Sequence, residues 1–152
     1  MKITNVIKTM KQINPEKVLL LKIGNFYYQY GKDSYILSYI FGYKIKYVEN
    51  NIPFTAFPKT AINKVMAKLE ENKISYIVVD KSLNYEVIEE QNFKKQNKYL
   101  NLYKVAHEYI LKKNRINNIY KYLISQINNN EIKQKIEDEQ ITVIQCKGHY
   151  NN

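Results

Sequence analysis

Lys22-Ile23-Gly24-Asn25-Phe26-Tyr27-Tyr28-Gln29-Tyr30-Gly31 follows directly on the apolar run Val18-Leu19-Leu20-Leu21. The apolar run has the composition of a buried strand, Gly24 breaks it, and the residues behind the break form a second strand or an edge segment. Four aromatic residues in five positions exceed what one buried face can take, because alternation sends every second side chain to the opposite side of a sheet. Alternation groups Phe26, Tyr28 and Tyr30 on one face and puts Tyr27 on the other, as the core member. Rings left exposed on a basic chain make nucleic-acid bases the first partner to consider, since a flat ring stacks on a base or wedges between two.

Working outward, the pattern predicts an opening helix over 5–13, stopped before Asn14-Pro15 because the residue preceding a proline avoids helical geometry. After Gly31, the spacing of Ile36, Leu37, Ile40 and Phe41 is helical and Gly42 suits its C-terminal cap. Short strands are expected over 43–48 and 53–57, across the polar turn Glu49-Asn50-Asn51. Pro58 and Thr60 open an amphipathic helix with Ile62, Val65, Met66 and Leu69 on one face, closing near Asn72. Tyr76-Ile77-Val78-Val79 reads as a buried strand and 85–88 as a further one. Interleaved strands and helices over 1–93 imply an α/β domain of α+β type, a mixed sheet flanked by helices.

Residues 95–128 contain neither glycine nor proline and read as one long helix. Positions 99, 102, 106, 109, 113, 116, 120, 123 and 127 form a seam of 3.5-residue period interrupted at Lys113, the pattern of a helix packed along another helix or a dimer partner. Tyr103, Val105, Ile110, Leu111, Ile119 and Ile124 lie off this seam, so the helix can also dock on the domain. The expected division is thus 1–93 as the α/β domain, 94–128 as a basic helix and 129–152 as a polar tail, in which 141–144 is compatible with one short strand.

The chain has 152 residues and a formal net charge of +10. Lys, Asn, Ile and Tyr make up about half of it, a bias that fits an AT-rich coding sequence, so the position of the charge says more than its total. Residues 94–128 hold eight basic and one acidic side chain, a net +7. Lys94, Lys95, Lys98, Lys112, Lys113 and Arg115 are the residues this places against phosphates, with binding that weakens steeply in salt. No apolar run approaches the roughly 20 residues that cross a bilayer, and the first residues lack a signal-peptide core, so a soluble, cytoplasmic protein without a membrane partner is expected. The single cysteine, Cys146, forms no internal disulfide and no cysteine-rich zinc site. His107-Glu108 lacks the second histidine of a zinc-hydrolase helix, position 111 being leucine, and His149 stands alone. With no paired nucleophile and base, the expectation is a protein without catalytic residues, metal or cofactor.

The segments above, in their order, carry a family resemblance. Asn14-Pro15-Glu16 through Gly31-Lys32-Asp33 is similar to the start of the mismatch-recognition domain of the MutS family of DNA mismatch-repair proteins: a proline, an apolar strand, then Gly-Asp-Phe-Tyr-Glu and a helix. Ile52-Pro53-Phe54-Thr55-Ala56-Phe57-Pro58 resembles the family's Pro-Met-Ala-Gly-Val-Pro segment. Lys68-Leu69 to Tyr76-Ile77-Val78-Val79-Asp80 is similar to the stretch leading into the next strand, and the whole covers roughly 5–93. The resemblance implies that Phe26 is the phenylalanine that stacks on a mispaired base. Tyr28 stands where the family's base-reading glutamate would be, and Asn25 replaces the aspartate. A phenol is neutral and bulkier than a carboxylate, which shifts the expectation from mismatch discrimination to contact with duplex or distorted DNA. No Gly-x-x-x-x-Gly-Lys-Ser/Thr loop exists among the four glycines, so the family's ATPase is not expected in this chain. The expected function is non-enzymatic DNA binding through the Phe26 and Tyr28 edge and nearby lysines, completed by a homodimer through residues 99–127 or by a larger DNA-processing partner. The alternative is a protein-protein interaction module that retains the fold.

Overall fold

The computed structural model describes residues 2–95 and 97–126, together with Gln134, Glu137 and Asp138. The strand read at 141–144, the seam position Ile127, Cys146 and His149 lie outside the described residues. The chain begins with helix α1 (Ile3–Ile13), followed by strands β1 (Val18–Ile23) and β2 (Phe26–Tyr30), helix α2 (Lys32–Phe41), and strands β3 (Lys46–Val48) and β4 (Ile52–Pro58). Helix α3 (Ile62–Glu71), strands β5 (Tyr76–Asp80) and β6 (Glu86–Gln91) and helix α4 (Lys98–Ser125) complete it. The six strands form one mixed sheet in the order β3-β4-β2-β1-β5-β6. β1 and β5 run parallel; the other pairs are antiparallel. The α+β class expected from the interleaved pattern is the observed one. β2 is an interior strand, hydrogen-bonded to β1 and β4 on its two sides, so the edge position considered for it is corrected.

Local chemistry explains the strand and helix limits. β1 and β2 are joined by the two residues Gly24 and Asn25, with Ile23 paired to Phe26. Gly24 has φ +62°, the left-handed region that tight hairpin turns require at their first central position. Gly42 ends α2 in the left-handed conformation at φ +76°, its N–H donating to the Ser38 carbonyl. Asn14 caps α1 by donating from its side-chain amide to the Met10 carbonyl at 3.2 Å.

The two faces of the sheet are covered differently. One face packs Val18, Leu20, Tyr27, Phe57, Tyr76 and Val78 against Ile36 and Leu37 of α2, Val65 and Leu69 of α3, and Tyr99 of α4. On the other, α1 lays Ile3, Ile7 and Met10 over Leu19, Leu21, Ile77 and Val79. That cover centres on β1 and β5 and reaches Tyr30 at the end of β2; the same face of β2 and β4 carries the aromatic side chains described below. Tyr27 is buried and stacks on Phe57 with ring centroids 5.3 Å apart. Its assignment to the core by alternation agrees with the structure.

Met1–Ile110 form one compact unit and Leu111–Asn152 a second, and the division falls within α4. In the first unit α4 is a docked helix: Tyr99, Ala106 and Ile110 are buried, and Leu102 and Tyr103 pack on the core. The first three seam positions, Tyr99, Leu102 and Ala106, therefore lie against the chain's own domain. Buried Tyr99, Ala106 and Ile110, with half-buried Leu102 and Tyr103, form one stripe broad enough to dock a helix on a globular core. In the second unit Ile116, Ile119, Tyr122 and Leu123 are exposed. No helix among the described residues is long and apolar enough to cross a membrane.

Candidate nucleic-acid interface

Residues 26, 28 and 30 leave β2 on the side opposite Tyr27, as the period of two dictates. Phe26, the first residue after the hairpin turn, is 44 % exposed; Tyr28 and Tyr30 are half-buried. The ring centroids of Phe26 and Tyr28 are 6.4 Å apart and those of Tyr28 and Tyr30 6.3 Å. β4 adds Phe54, 6.2 Å from Tyr28 and 6.0 Å from Tyr30. Cross-strand pairing sets Pro58 beside Phe26 and Ala56 beside Tyr28, and both small neighbours leave the rings uncovered on that side. Burial holds the Tyr30 phenol above its ordinary range, so it stays neutral at physiological pH.

The turn behind Phe26 is anchored. Lys59 donates its backbone N–H to the Asn25 carbonyl at 2.8 Å, tying the hairpin tip to the end of β4. The Lys59 side chain is exposed next to this contact. Lys46 pairs with Phe54 across β3 and β4, which places it on the aromatic face, and it too is exposed. Sequence reasoning singles out neither lysine, nor Phe54. The signal exists for part of it: the turn at 49–51 implies that β3 pairs with β4, hence Lys46 with Phe54. Pairing of β4 with β2 has no local signature.

Lys94, Lys95 and Lys98 lie elsewhere. Val18 donates its N–H to the Ser75 carbonyl, and Ser75 accepts from the Phe93 N–H at 2.9 Å, so these lysines follow a residue fastened at the start of β1. Phe26 flanks its end. A six-residue strand separates the two, about 17 Å at 3.3 Å per residue. Phe26 and Tyr28 thus sit together, while Lys94, Lys95 and Lys98 form a separate basic region. Lys95 and Lys98 line a cavity of about 480 Å³ with Lys17, Lys32, Lys73 and Tyr99. Lys112, Lys113 and Arg115 belong to the second unit and are exposed.

His107 packs its ring against Tyr35 and Tyr103, at 5.2 and 5.5 Å. Among the described residues no group of three or more His, Cys, Asp or Glu side chains is placed to hold a metal ion. Charge divides the sheet. Lys44 and Lys46 accompany the β3 edge, whereas β6 presents Glu86, Glu89 and Glu90 to solvent at the other.

The family model described as MutS domain I matches residues 3–148. The match extends through α4 and beyond the stretch of 5–93 that the motifs carry. No curated protein matches the chain.

Proposed function

The chain belongs to the MutS domain I family, the mismatch-recognition-like DNA-binding domains, and from that premise we propose that it binds duplex DNA where the stack is weakened, with Phe26 as the inserting side chain. The observation that carries this reading is the 44 % exposure of Phe26 at the tip of the β1-β2 hairpin, directly beside Tyr28. An apolar ring on a rigid hairpin can enter a base step from the minor groove, and flexible or damaged steps open most readily. Lys46 and Lys59 flank the rings and meet the phosphates on either side. Tyr28 supplies one neutral hydrogen-bonding group next to the wedge. That chemistry supports recognition of distortion more than of one particular mispair. ATP turnover, in this reading, lies outside these 152 residues, whose four glycines form no phosphate loop.

Binding by a single module of this size is weak, so a partner or a second copy completes the grip. The exposed Ile116, Ile119, Tyr122 and Leu123 of the second unit support contact there, with another protein or another copy of the chain.

Anisotropy titrations of the full chain against matched, mismatched and bulged duplexes, at several salt concentrations, test the proposal. Tighter binding to mismatched or bulged duplex, abolished in Phe26→Ala, is the expected result. Affinity no better than millimolar at low salt, or unchanged by Phe26→Ala, would overturn it.

A further inference from the structure

Four rings share the open face, and a wedge uses one. We propose that Phe26, Tyr28, Tyr30 and Phe54 form a stacking platform for several consecutive unpaired nucleotides, so that the preferred substrate is DNA with a single-stranded run: a multi-nucleotide bulge, a gap or a flap. This deepens the DNA-binding reading above and rests on it.

Spacing decides between duplex and single strand. Along β2 the rings repeat at 6.4 and 6.3 Å, the distance set by two residues of extended chain. Bases in B-form DNA rise about 3.4 Å each. A stacked strand therefore cannot lay neighbouring bases on neighbouring rings, whereas an unpaired strand can splay its bases to the wider repeat. Aromatic side chains on a sheet face are a general solution to binding such strands, because every base has a flat face to offer.

The face is shaped for this occupant. Ala56 and Pro58 stand opposite Tyr28 and Phe26, and α1 packs toward the Tyr30 end of β2, which leaves Phe26 as the most exposed ring of the four. Beyond Tyr30 the face continues into a groove of about 700 Å³ whose lining includes Ile3, Ile7, Val48 and Ile52. Cations bracket the track: Lys59 beyond Phe26, Lys46 beside Phe54, and Lys8 on the rim of the groove, with Glu49 as the acidic neighbour. Apolar rings between lysines match bases between phosphates. An apolar peptide would find the rings but leave the cations without partners.

The chain contains no tryptophan, so Phe54→Trp gives a single reporter whose fluorescence falls when a base stacks on it. Full-length protein is titrated with oligo-dT of one to eight nucleotides and with duplexes carrying bulges of zero to five. Expected are quenching of the reporter, affinity that climbs up to about four unpaired nucleotides and then levels, and about tenfold weaker oligo-dT binding in Tyr28→Leu, which keeps apolar bulk but removes the flat ring. Quenching is read in a protein with all four positions still aromatic, so it tests the platform even if Tyr28→Leu fails to fold. If a single mismatch is bound in a Phe26-dependent manner but longer unpaired runs add nothing and the reporter is not quenched, the platform is wrong and the wedge stands. Binding to neither duplex nor single strand removes both.

Discussion

The hydroxyl of Tyr99, in the first turn of α4, donates a hydrogen bond to the buried carboxylate of Asp33, in the first turn of α2. The same carboxylate accepts from Lys11 of α1 and from the Leu19 N–H of β1, each at 3.0 Å. Three helices and the central strand meet at one side chain. Burial and the charge of Asp33 hold the Tyr99 phenol far above the ordinary tyrosine range, so it remains a donor. Tyr99→Phe should lower stability by about 1–2 kcal/mol, and Asp33→Ala by about 3–5 kcal/mol because Lys11 is left without its carboxylate. Urea denaturation measures both; equal effects would mean that Asp33 is held by packing alone.

Phe26 and Tyr27 are adjacent in sequence and opposite in consequence. Tyr27→Ala removes a ring stacked on Phe57 in a dry core and should destabilise the fold by about 3–5 kcal/mol. Phe26→Ala should change the melting temperature by no more than a degree or two while weakening binding to distorted duplex about tenfold. Calorimetry and anisotropy on the two variants separate the roles.

Gln29 and Thr55 are a buried polar pair inside the sheet. The Thr55 hydroxyl donates to the Gln29 Oε1 at 2.8 Å, and the Gln29 Nε2 has no partner among the described residues. Thr55→Val should cost about 1–2 kcal/mol by stranding the amide further, whereas Gln29→Leu combined with Thr55→Val should be near neutral. A double-mutant cycle in urea gives the coupling; additive losses would contradict it.

Asp80 gives stability a dependence on acid. Hydrogen bonds from the Ser82 hydroxyl, the Ser82 N–H and the charge of Lys22 hold its carboxyl below the ordinary value of 3.8, against the opposing effect of burial. A lowered carboxyl stabilises the fold fully above the unfolded value and ceases to do so as pH falls through the lowered one. Melting temperature should therefore fall more gently below pH 4 in Asp80→Asn than in the wild type, from a lower starting point at neutral pH. Parallel slopes would reject this role.

Salt should distinguish the two basic regions. Removing one lysine that neutralises a phosphate reduces the slope of log affinity against log salt by about 0.9. Lys46→Ala and Lys59→Ala are expected to reduce it by about one unit each on bulged duplex. Replacing Lys94, Lys95 and Lys98, about 17 Å along β1, should matter only for duplexes long enough to reach them. Titrations on short and long duplexes make the comparison.

How far the fold is legible in the sequence follows from the reach of each signal. The limits of β1 and β2 can be read to the residue, because Gly24 and the alternation of Phe26, Tyr27 and Tyr28 are local facts. Gly42 ends α2 for the same reason. The pattern places β6 over 85–88, and it runs Glu86–Gln91, since an exposed edge strand has no hydrophobic alternation to mark its limits. The long helix misleads in a different way. Its apolar residues fit two periods nearly as well, and only the presence of the core beneath Tyr99, Ala106 and Ile110 selects one. At the site, Phe26 is visible in the sequence and Phe54 is not, since bringing β4 beside β2 is a long-range pairing. Lysine position suffers most: the run Lys94, Lys95 and Lys98 lies at the opposite end of β1 from the exposed ring.

The bare margins of the sheet set rules for self-association. β3 offers three residues, among them Lys46, and β6 offers six, of which three are glutamates. Unpaired backbone at such margins invites other chains to add strands, and like charge is a general defence. Two copies meeting through β6 would set glutamate against glutamate, and a meeting through β3 gains too few hydrogen bonds to hold. Among the described residues, charge at β6 and brevity at β3 thus both discourage a further strand from joining the sheet.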